Sequence, residues 1–297
     1  MRITVTTPTG HIGHELADRL LSQGVDLTVL ARHPEKASDL ATRGARVVRG
    51  DQTNVGSVES ALEGAEAFFW LTPVDVAATN VREHYNRFAD VASQAISRHP
   101  DVRVVHLSSV GAELPDRTGP IKGLHDVEAK LNAATSNVTH LRANYFMENV
   151  LSSLPTIVAR GSIFSTVPGN VTQPQVATRD IATVAAELLL NGDRGQHVLD
   201  VFGPEDISFD RVAQTLGEVL GVPVKHVQVS REQLRSGMLA AGLSPDFSDQ
   251  LLELNEAMAQ GLLHGVAESG RQGKTTFAEF ARQVVVRAYR HYTAKAG

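Results

Sequence analysis

The first 24 residues combine a strand, a glycine-containing turn and an amphipathic helix. Residues 3–6 are the β-branched run Ile-Thr-Val-Thr, which favours a short strand, and Gly10 and Gly13 follow it. Apolar residues then recur at helical spacing from Ile12 up to Gly24, where a helix would end. The free N–H groups and the dipole of such a helix favour a phosphate. This unit therefore predicts an α/β sheet with a nucleotide site at its first turn.

The glycine pattern of this turn is incomplete. In the dinucleotide spacing G-x-G-x-x-G the chain has Pro8, Gly10 and Gly13, and in the wider spacing G-x-x-G-x-x-G it has Thr7 in the first place. Because Thr7 precedes a proline, we expect an extended Thr7 and a strand that runs slightly past residue 6. A purely structural βα turn remains the alternative to phosphate binding.

Strand and helix patterns alternate after this unit. Strands are predicted at 25–30, 45–48, 67–71, 102–107, 138–143 and, as the last strand, 197–202; helices are predicted at 34–44, 57–62, 79–98, 121–134 and 180–190. From residue 203 onward the pattern is mostly helical, around 211–220, 232–241, 246–260 and 276–290. This order predicts a doubly wound parallel α/β sheet with a smaller, mostly helical C-terminal lobe. The sheet domain would take 1–150 and about 177–202, and the lobe about 151–176 and 203–297.

Composition excludes several classes of protein. The net charge of −5 and the scattered Lys and Arg argue against a nucleic-acid surface. The absence of cysteine excludes disulfides, thiolate catalysis and Cys-based zinc sites. His11 and His14 share a helix face but have no third ligand in view, so no metal site is predicted. We found no signal peptide or membrane span, and we expect a cytoplasmic monomer or homodimer that acts on a small molecule.

The end of the second predicted strand decides which dinucleotide the turn would take. NAD sites usually have an acid about 20 residues past the glycines, but here Arg32 stands in that place, with Lys36 one turn further on. These cations could bind the 2′-phosphate of NADP through charge-assisted hydrogen bonds. A solvated surface arginine is the alternative. We therefore expect NADP(H) to be preferred, with NAD(H) possible.

The ends of the later strands supply further candidates. Asp51 could accept a hydrogen bond from an adenine amine, and a helix-capping or turn aspartate is almost as good an interpretation. Leu71 to Pro73 should border the ribose, and Ser108 should lie near the nicotinamide. The predicted cofactor-binding residues are Thr7, Thr9, Gly10, His11, Ile12, Gly13, Arg32, Lys36, Asp51, Gln52, Leu71, Thr72, Pro73, Ser108 and Asn144.

Several segments together carry a family resemblance. TPTGHIG, LAR-HPEK, the SS after the fifth strand, GPIKGLHDVEAKL, LRANYFMEN and TTFAEFA resemble the NmrA-like branch of the atypical short-chain dehydrogenase/reductases. The resemblance covers nearly the whole chain. It implies a Rossmann domain that binds NADP(H) or NAD(H), with a C-terminal lobe that closes a substrate cleft. The branch includes quinone and enone-type reductases as well as catalytically silent redox sensors.

One departure from the parent family concerns its catalytic residues. That family transfers hydride with a Tyr-x-x-x-Lys motif, in which tyrosine is the acid and lysine lowers its pKa. None of the four tyrosines here has a lysine four residues on, and GLHDVEAKL places Leu124 and Glu128 at the two catalytic positions. A carboxylate in place of the lysine would raise the pKa of a neighbouring acid. We therefore expect the usual relay to be absent.

Other residues could supply chemistry near that place. His125 stands three residues before Glu128, so the two could share a hydrogen bond and His125 could donate a proton, although a packing histidine is the alternative. The resemblance implies that Asn144 and Tyr145 contact nicotinamide and substrate. The predicted catalytic residues are His125, Tyr145 and Ser109, and the predicted substrate residues are Tyr145, Phe146 and Asn149, with Met147 a weaker candidate. The aromatic pair could equally belong to the core.

Two functions from different classes follow from these patterns. The first is an NADPH-dependent reductase of a small carbonyl, enone or quinone compound, in which catalysis rests on positioning the nicotinamide against a reactive acceptor. The second is a non-enzymatic NADP(H) sensor that signals through a protein partner. A nucleotide-sugar epimerase or dehydratase is less favoured, because those enzymes usually keep the Tyr/Lys pair.

Overall fold

The structure is a computed structural model that describes residues 1–263, 265 and 270–296. Its strands are β1 (Arg2–Thr6), β2 (Asp26–Ala31), β3 (Arg46–Arg49), β4 (Ala67–Trp70), β5 (Arg103–Ser109), β6 (Val138–Ala143), β7 (Ser162–Ser165), β8 (Thr172–Gln173), β9 (Gln196–Phe202), β10 (Ile207–Ser208), β11 (Lys225–Gln228) and β12 (Gly270–Gln272). Eight of them form one sheet in the order β12-β9-β6-β5-β4-β1-β2-β3, and every neighbouring pair in it is parallel. The predicted doubly wound parallel sheet is confirmed.

Helices cover both faces of this sheet and build most of the C-terminal lobe. The α-helices are α1 (His11–Ser22), α2 (Ser38–Thr42), α3 (Val55–Leu62), α4 (Val81–Ser97), α5 (Ile121–Ala134), α6 (Leu154–Arg160), α7 (Thr178–Asn191), α8 (Phe209–Leu220), α9 (Arg231–Ala240), α10 (Pro245–Ala259), α11 (Phe277–Phe280) and α12 (Val286–Ala296). Helices α1 and α7 pack on one face of the sheet, and α3, α4 and α5 pack on the other. No helix among the described residues is long and apolar enough to span a membrane.

The central strands are apolar along their whole length because both of their faces are covered. All four residues of β4 are buried, and Phe69 points into the core cluster on the α1 side while Phe68 and Trp70 point into the cluster on the α4 side. Burial on both faces explains why a continuous apolar run, rather than an alternating one, marks this strand in the sequence.

The structure differs from the sequence prediction in the last third of the chain. The segment 197–202 is not the last strand of the sheet, because β12 pairs in parallel with β9 along its far edge. The lobe also contains two small two-stranded sheets, β8 with β10 and β7 with β11. Strands of two to four residues carry too little periodicity to be seen in a sequence. The predicted helix at 276–290 is interrupted by a π-helical turn over Ala281–Val285.

Candidate cofactor and acceptor site

The turn after β1 has the backbone geometry of a glycine-rich turn, although the first glycine of the sequence pattern is missing. Strand β1 ends at Thr6, and Thr7 has a φ of +51°, the left-handed backbone for which a glycine is the usual residue. The prediction of an extended Thr7 is therefore wrong. The N–H of Gly10 donates to the Thr7 carbonyl oxygen at 3.0 Å, which closes the turn before α1 begins. Tertiary context overrides the local bias that Pro8 imposes.

The two glycines of the turn have different surroundings. A Cβ on Gly13 would lie 2.1 Å from the Thr7 carbonyl oxygen, so this glycine permits α1 to pack against the turn. A Cβ on Gly10 would meet only the same oxygen at 3.5 Å, an ordinary contact. Thr9, Gly10 and His11 are all exposed. The outer face of the turn is thus open to a ligand, while its inner face is filled by protein.

Two cations follow β2 at the same edge of the sheet. Arg32 and Lys36 are exposed, and neither forms an ion pair with another described residue. Asp51, after β3, lies near Arg32. Burial alone would raise the pKa of Asp51, but hydrogen bonds from Thr53 and the charge of Arg32 lower it overall. One oxygen of Asp51 accepts from the Thr53 N–H and hydroxyl at 2.8 Å each, as expected of a turn aspartate.

The ends of β1, β3 and β4 are joined by side-chain hydrogen bonds. The Thr6 hydroxyl donates to the Phe69 carbonyl oxygen at 3.1 Å and accepts from the Leu71 N–H at 3.2 Å. The Gln52 amide donates to the Leu71 carbonyl oxygen at 3.0 Å. Thr72 is buried beside them, and its hydroxyl has no partner among the described residues. These residues lie at one edge of the sheet, as the sequence predicts. The Gln52 amide, however, is already engaged by the Leu71 carbonyl oxygen.

A buried ion pair supports the ends of β5 and β6. Arg142 donates to both oxygens of Glu128, from Nε at 2.9 Å and from Nη2 at 2.6 Å, and to Glu113 at 3.1 Å. The Ser108 hydroxyl donates to Glu128 at 2.6 Å. Burial would raise the pKa of Glu128, but its bonds to Arg142 and Ser108 hold that pKa below its usual value. Glu128 is therefore an ionised carboxylate whose partner is a strand arginine.

His125 has other contacts than those predicted. Its Nδ1 lies 2.8 Å from the Ala112 carbonyl oxygen, and it does not line the cavity described below. The expected hydrogen bond between His125 and Glu128 is wrong, because Arg142 and Ser108 occupy that carboxylate. Ser109 does border the cavity, and its hydroxyl donates to the Val110 carbonyl oxygen at 3.0 Å.

A cavity of about 230 Å³ lies beyond the ends of β4, β5 and β6. The predicted residues that line it are Leu71, Thr72, Ser108, Ser109, Asn144, Tyr145, Phe146 and Asn149. Burial raises the pKa of the Tyr145 hydroxyl, and its interaction with Asn149 partly offsets this rise. The side-chain nitrogen of Asn144 is buried without a partner among the described residues. The structure thus brings these candidates together around one space.

The chemical character of the cavity is apolar and uncharged. Its other walls come from α4, α5 and their flanks, and from α10 and the residues after it; they include Tyr85, Ile121, Leu124, Leu254, Met258 and Leu263. None of the described residues that line it is Asp, Glu, Lys, Arg or His. A benzene-sized ligand fits an engineered cavity of about 150 Å³, so this space suits an acceptor of one or two fused rings.

Sequence reasoning missed three parts of this site. The residues of α10 that cover the cavity read as ordinary helix positions. Arg142 stands out only as a charge inside an apolar strand, a signal that a buried partner must exist. Tyr85 falls on the apolar face of α4, and Gly123, in the interior of the facing helix α5, is the signal that a bulky side chain approaches there.

The family of the chain follows from comparison with known sequences. The NmrA-like family matches residues 1–281. The chain belongs to this family. An NAD(P)H azoreductase of Xenophilus azovorans is 27% identical over 286 residues, which cover 94% of the chain and 96% of the relative.

Solved structures agree on the fold. The NADPH-dependent quinone oxidoreductase of Escherichia coli, solved with NADPH, superposes with a TM-score of 0.77 at 20% identity and covers 99% of this chain and 100% of its own. The triphenylmethane reductase of Citrobacter sp., solved with NADP(H), gives a TM-score of 0.74 at 21% identity, with 95% and 99% covered. Both likenesses extend over the lobe as well as the sheet.

Proposed function

We propose that the protein is an NADPH-dependent reductase of a quinone- or dye-type acceptor, with enones as a further acceptor class. The observation that carries this proposal is the uncharged apolar cavity directly beyond the strand ends at which the cofactor residues meet. A sensor that only binds the cofactor does not need an apolar cavity beside it. The azoreductase and quinone oxidoreductase relatives support the same reaction class.

The residues present fit an NADP(H) molecule. The open face of Gly10 and the N-terminus of α1 would hold the pyrophosphate, and Arg32, with Lys36, would hold the 2′-phosphate. Asp51 retains one carboxylate oxygen for the adenine. The unpartnered buried groups of Thr72 and Asn144 lie at the strand ends expected to border the ribose and the nicotinamide. A bound polar ligand would satisfy groups that are costly to leave unpaired.

The acceptor end of the site would act by excluding water and by orienting the acceptor. When bound, the cofactor supplies a hydride. Phe146 and Leu124 would hold a flat acceptor and keep water away from it, while Tyr145 and Asn149 would set its orientation. Arg142 pairs with the carboxylate of Glu128 behind Ser108, which reduces the negative charge that would oppose electron density developing on the acceptor. We expect quinones to be reduced faster than simple ketones, which need more help from an acid.

The test is NADPH oxidation over a panel of quinones, azo dyes, triphenylmethane dyes, enones and ketones. We expect turnover of the quinones or dyes, and loss of turnover together with NADPH binding in Gly10→Val, whose side chain fills the open face of the turn. Tight NADPH binding without turnover of any acceptor would instead support the sensor. Failure of the wild type to bind NADPH would overturn both functions.

A further inference from the structure

The reduction of a quinone requires a proton as well as a hydride, and few cavity groups can give one. The Ser108 proton is engaged by Glu128, and the Ser109 proton is engaged by the Val110 carbonyl oxygen. The Thr72 hydroxyl is enclosed on the side of the strand ends, where we place the cofactor. Two tyrosines remain; Asn149 interacts with the hydroxyl of Tyr145, whereas the hydroxyl of Tyr85 has no partner among the described residues.

Tyr85 is the other tyrosine that borders the cavity. It lies in the second turn of α4 and is 6% exposed. Its hydroxyl forms no hydrogen bond with any other residue that the structure describes, and its oxygen is not fully enclosed by protein. A tyrosine that borders an apolar cavity and whose hydroxyl has no protein partner can offer that hydroxyl to a ligand there.

A glycine of the neighbouring helix makes room for this ring. A Cβ on Gly123, inside α5, would lie 2.7 Å from Cγ of Tyr85. Glycine inside a helix costs roughly 0.5–1 kcal/mol relative to alanine, so its presence is explained by the ring that crosses it. The next residue of α5 is Leu124, which borders the cavity as well. The wall formed by α4 and α5 thus carries the side chain of Tyr85.

We propose that Tyr85 is the proton donor to the acceptor in the cavity. The O–H bond of Tyr85 breaks as a new O–H bond forms on the carbonyl oxygen of the quinone, while the cofactor provides the hydride, which is the other hydrogen with its electron pair. The tyrosinate then takes a proton from water. One quinone, one NADPH and one proton thus give one hydroquinone and one NADP⁺. Burial raises the pKa of Tyr85 to about 12, so the group carries its proton at neutral pH. This inference rests on the proposed reductase function.

The first test is binding without turnover. The affinity of 1,4-naphthoquinone is compared with that of naphthalene, which lacks oxygen, with and without NADP⁺. We expect Tyr85→Phe, which keeps the ring on Gly123, to weaken naphthoquinone about 2- to 10-fold, the worth of one neutral hydrogen bond, and to leave naphthalene unchanged. Tyr292→Phe, at an exposed tyrosine of α12, is the matched control and should change neither affinity. Equal affinity of wild type and Tyr85→Phe for naphthoquinone, or no binding by the wild type, would overturn the proposal.

The second test is kinetic. For naphthoquinone, Tyr85→Phe should lower kcat by about 100-fold or more, since general acid catalysis contributes roughly 10²- to 10⁴-fold, with the NADPH affinity unchanged. Gly123→Ala should lower kcat by displacing the ring, and this effect should vanish in the Tyr85→Phe background. A kcat of Tyr85→Phe within 2-fold of wild type would overturn the proposal. If the wild type turns over no acceptor, the reductase function fails, and the binding test alone decides whether Tyr85 contacts the oxygen.

Discussion

The two ends of the site are built on different principles. At the proposed cofactor end the candidate binding groups are exposed, local in sequence and separate from one another, as Gly10 and Arg32 illustrate. At the acceptor end the space is apolar, and it is supported from behind by the buried pair of Arg142 and Glu128. The cofactor end can therefore change its ligand preference through single surface residues. The acceptor end depends on long-range packing, so substitutions there should act on stability as well as on turnover.

The largest expected effect comes from the buried pair behind the acceptor end. Arg142→Met leaves Glu128 as an unpaired buried charge and should destabilise the protein by about 3–5 kcal/mol. Arg82→Met breaks the exposed pair of Arg82 with Asp126, also on α5, and should cost less than about 1 kcal/mol. Urea unfolding of both variants measures the difference. Similar losses of stability in the two variants would contradict the contrast between the ends.

Acid should destabilise the protein through two buried histidines, one on β5 and one on β6. Burial lowers the pKa of His140 to about 4, and it lowers that of the adjacent His106 as well. Because the unfolded chain binds these protons more readily, stability should fall as the pH drops from about 6.5 to 4; His140 alone accounts for roughly 3 kcal/mol. His140→Gln should flatten this part of the profile of Tm against pH, and His33→Gln, at an exposed histidine, should not. An unchanged profile in His140→Gln would exclude the buried imidazole as the cause.

Cofactor preference should respond to one exposed arginine. Arg32→Ala should weaken NADPH binding by about 1.5–3 kcal/mol, or roughly 10- to 150-fold, because a hydrogen bond to a charged group is lost. The affinity for NADH, which lacks the 2′-phosphate, serves as the internal control and should not change. Calorimetric titration of both cofactors measures the effect. Equal affinities of the wild type for NADPH and NADH would exclude this role of Arg32.

The smallest expected effect separates the two glycines of the turn. Gly13→Ala forces a Cβ against the Thr7 carbonyl oxygen and should cost about 1–3 kcal/mol of stability. Gly10→Ala should change stability by less than about 0.5 kcal/mol, but it should weaken NADPH binding. Thermal unfolding with and without NADPH gives both values. If Gly10→Ala binds NADPH as the wild type does, the pyrophosphate does not lie on this face.

The placement of the proposed cofactor residues at one edge of the sheet can be predicted from the sequence because its determinants are local. The turn, Arg32 and the strand-end residues each follow a strand whose periodicity is visible, and parallel strands bring their carboxyl ends to one edge. The acceptor end depends on contacts between distant segments. His125 and Glu128 are three residues apart, yet Arg142 takes the carboxylate, and no local pattern predicts this choice. The same holds for Tyr85 and Gly123, 38 positions apart in the sequence.

Strand β12 has a practical consequence for handling the protein. It covers the edge of β9, whose residues Leu199 and Val201 are buried, and it is short and carries Arg271, as the opposite edge strand β3 carries Arg46 and Arg49. Short, charged edge strands discourage other chains from adding to a sheet. A truncation placed before residue 270 would leave the apolar edge of β9 open and should promote aggregation. Fusion tags are therefore better attached after α12 than in place of the C-terminal segment.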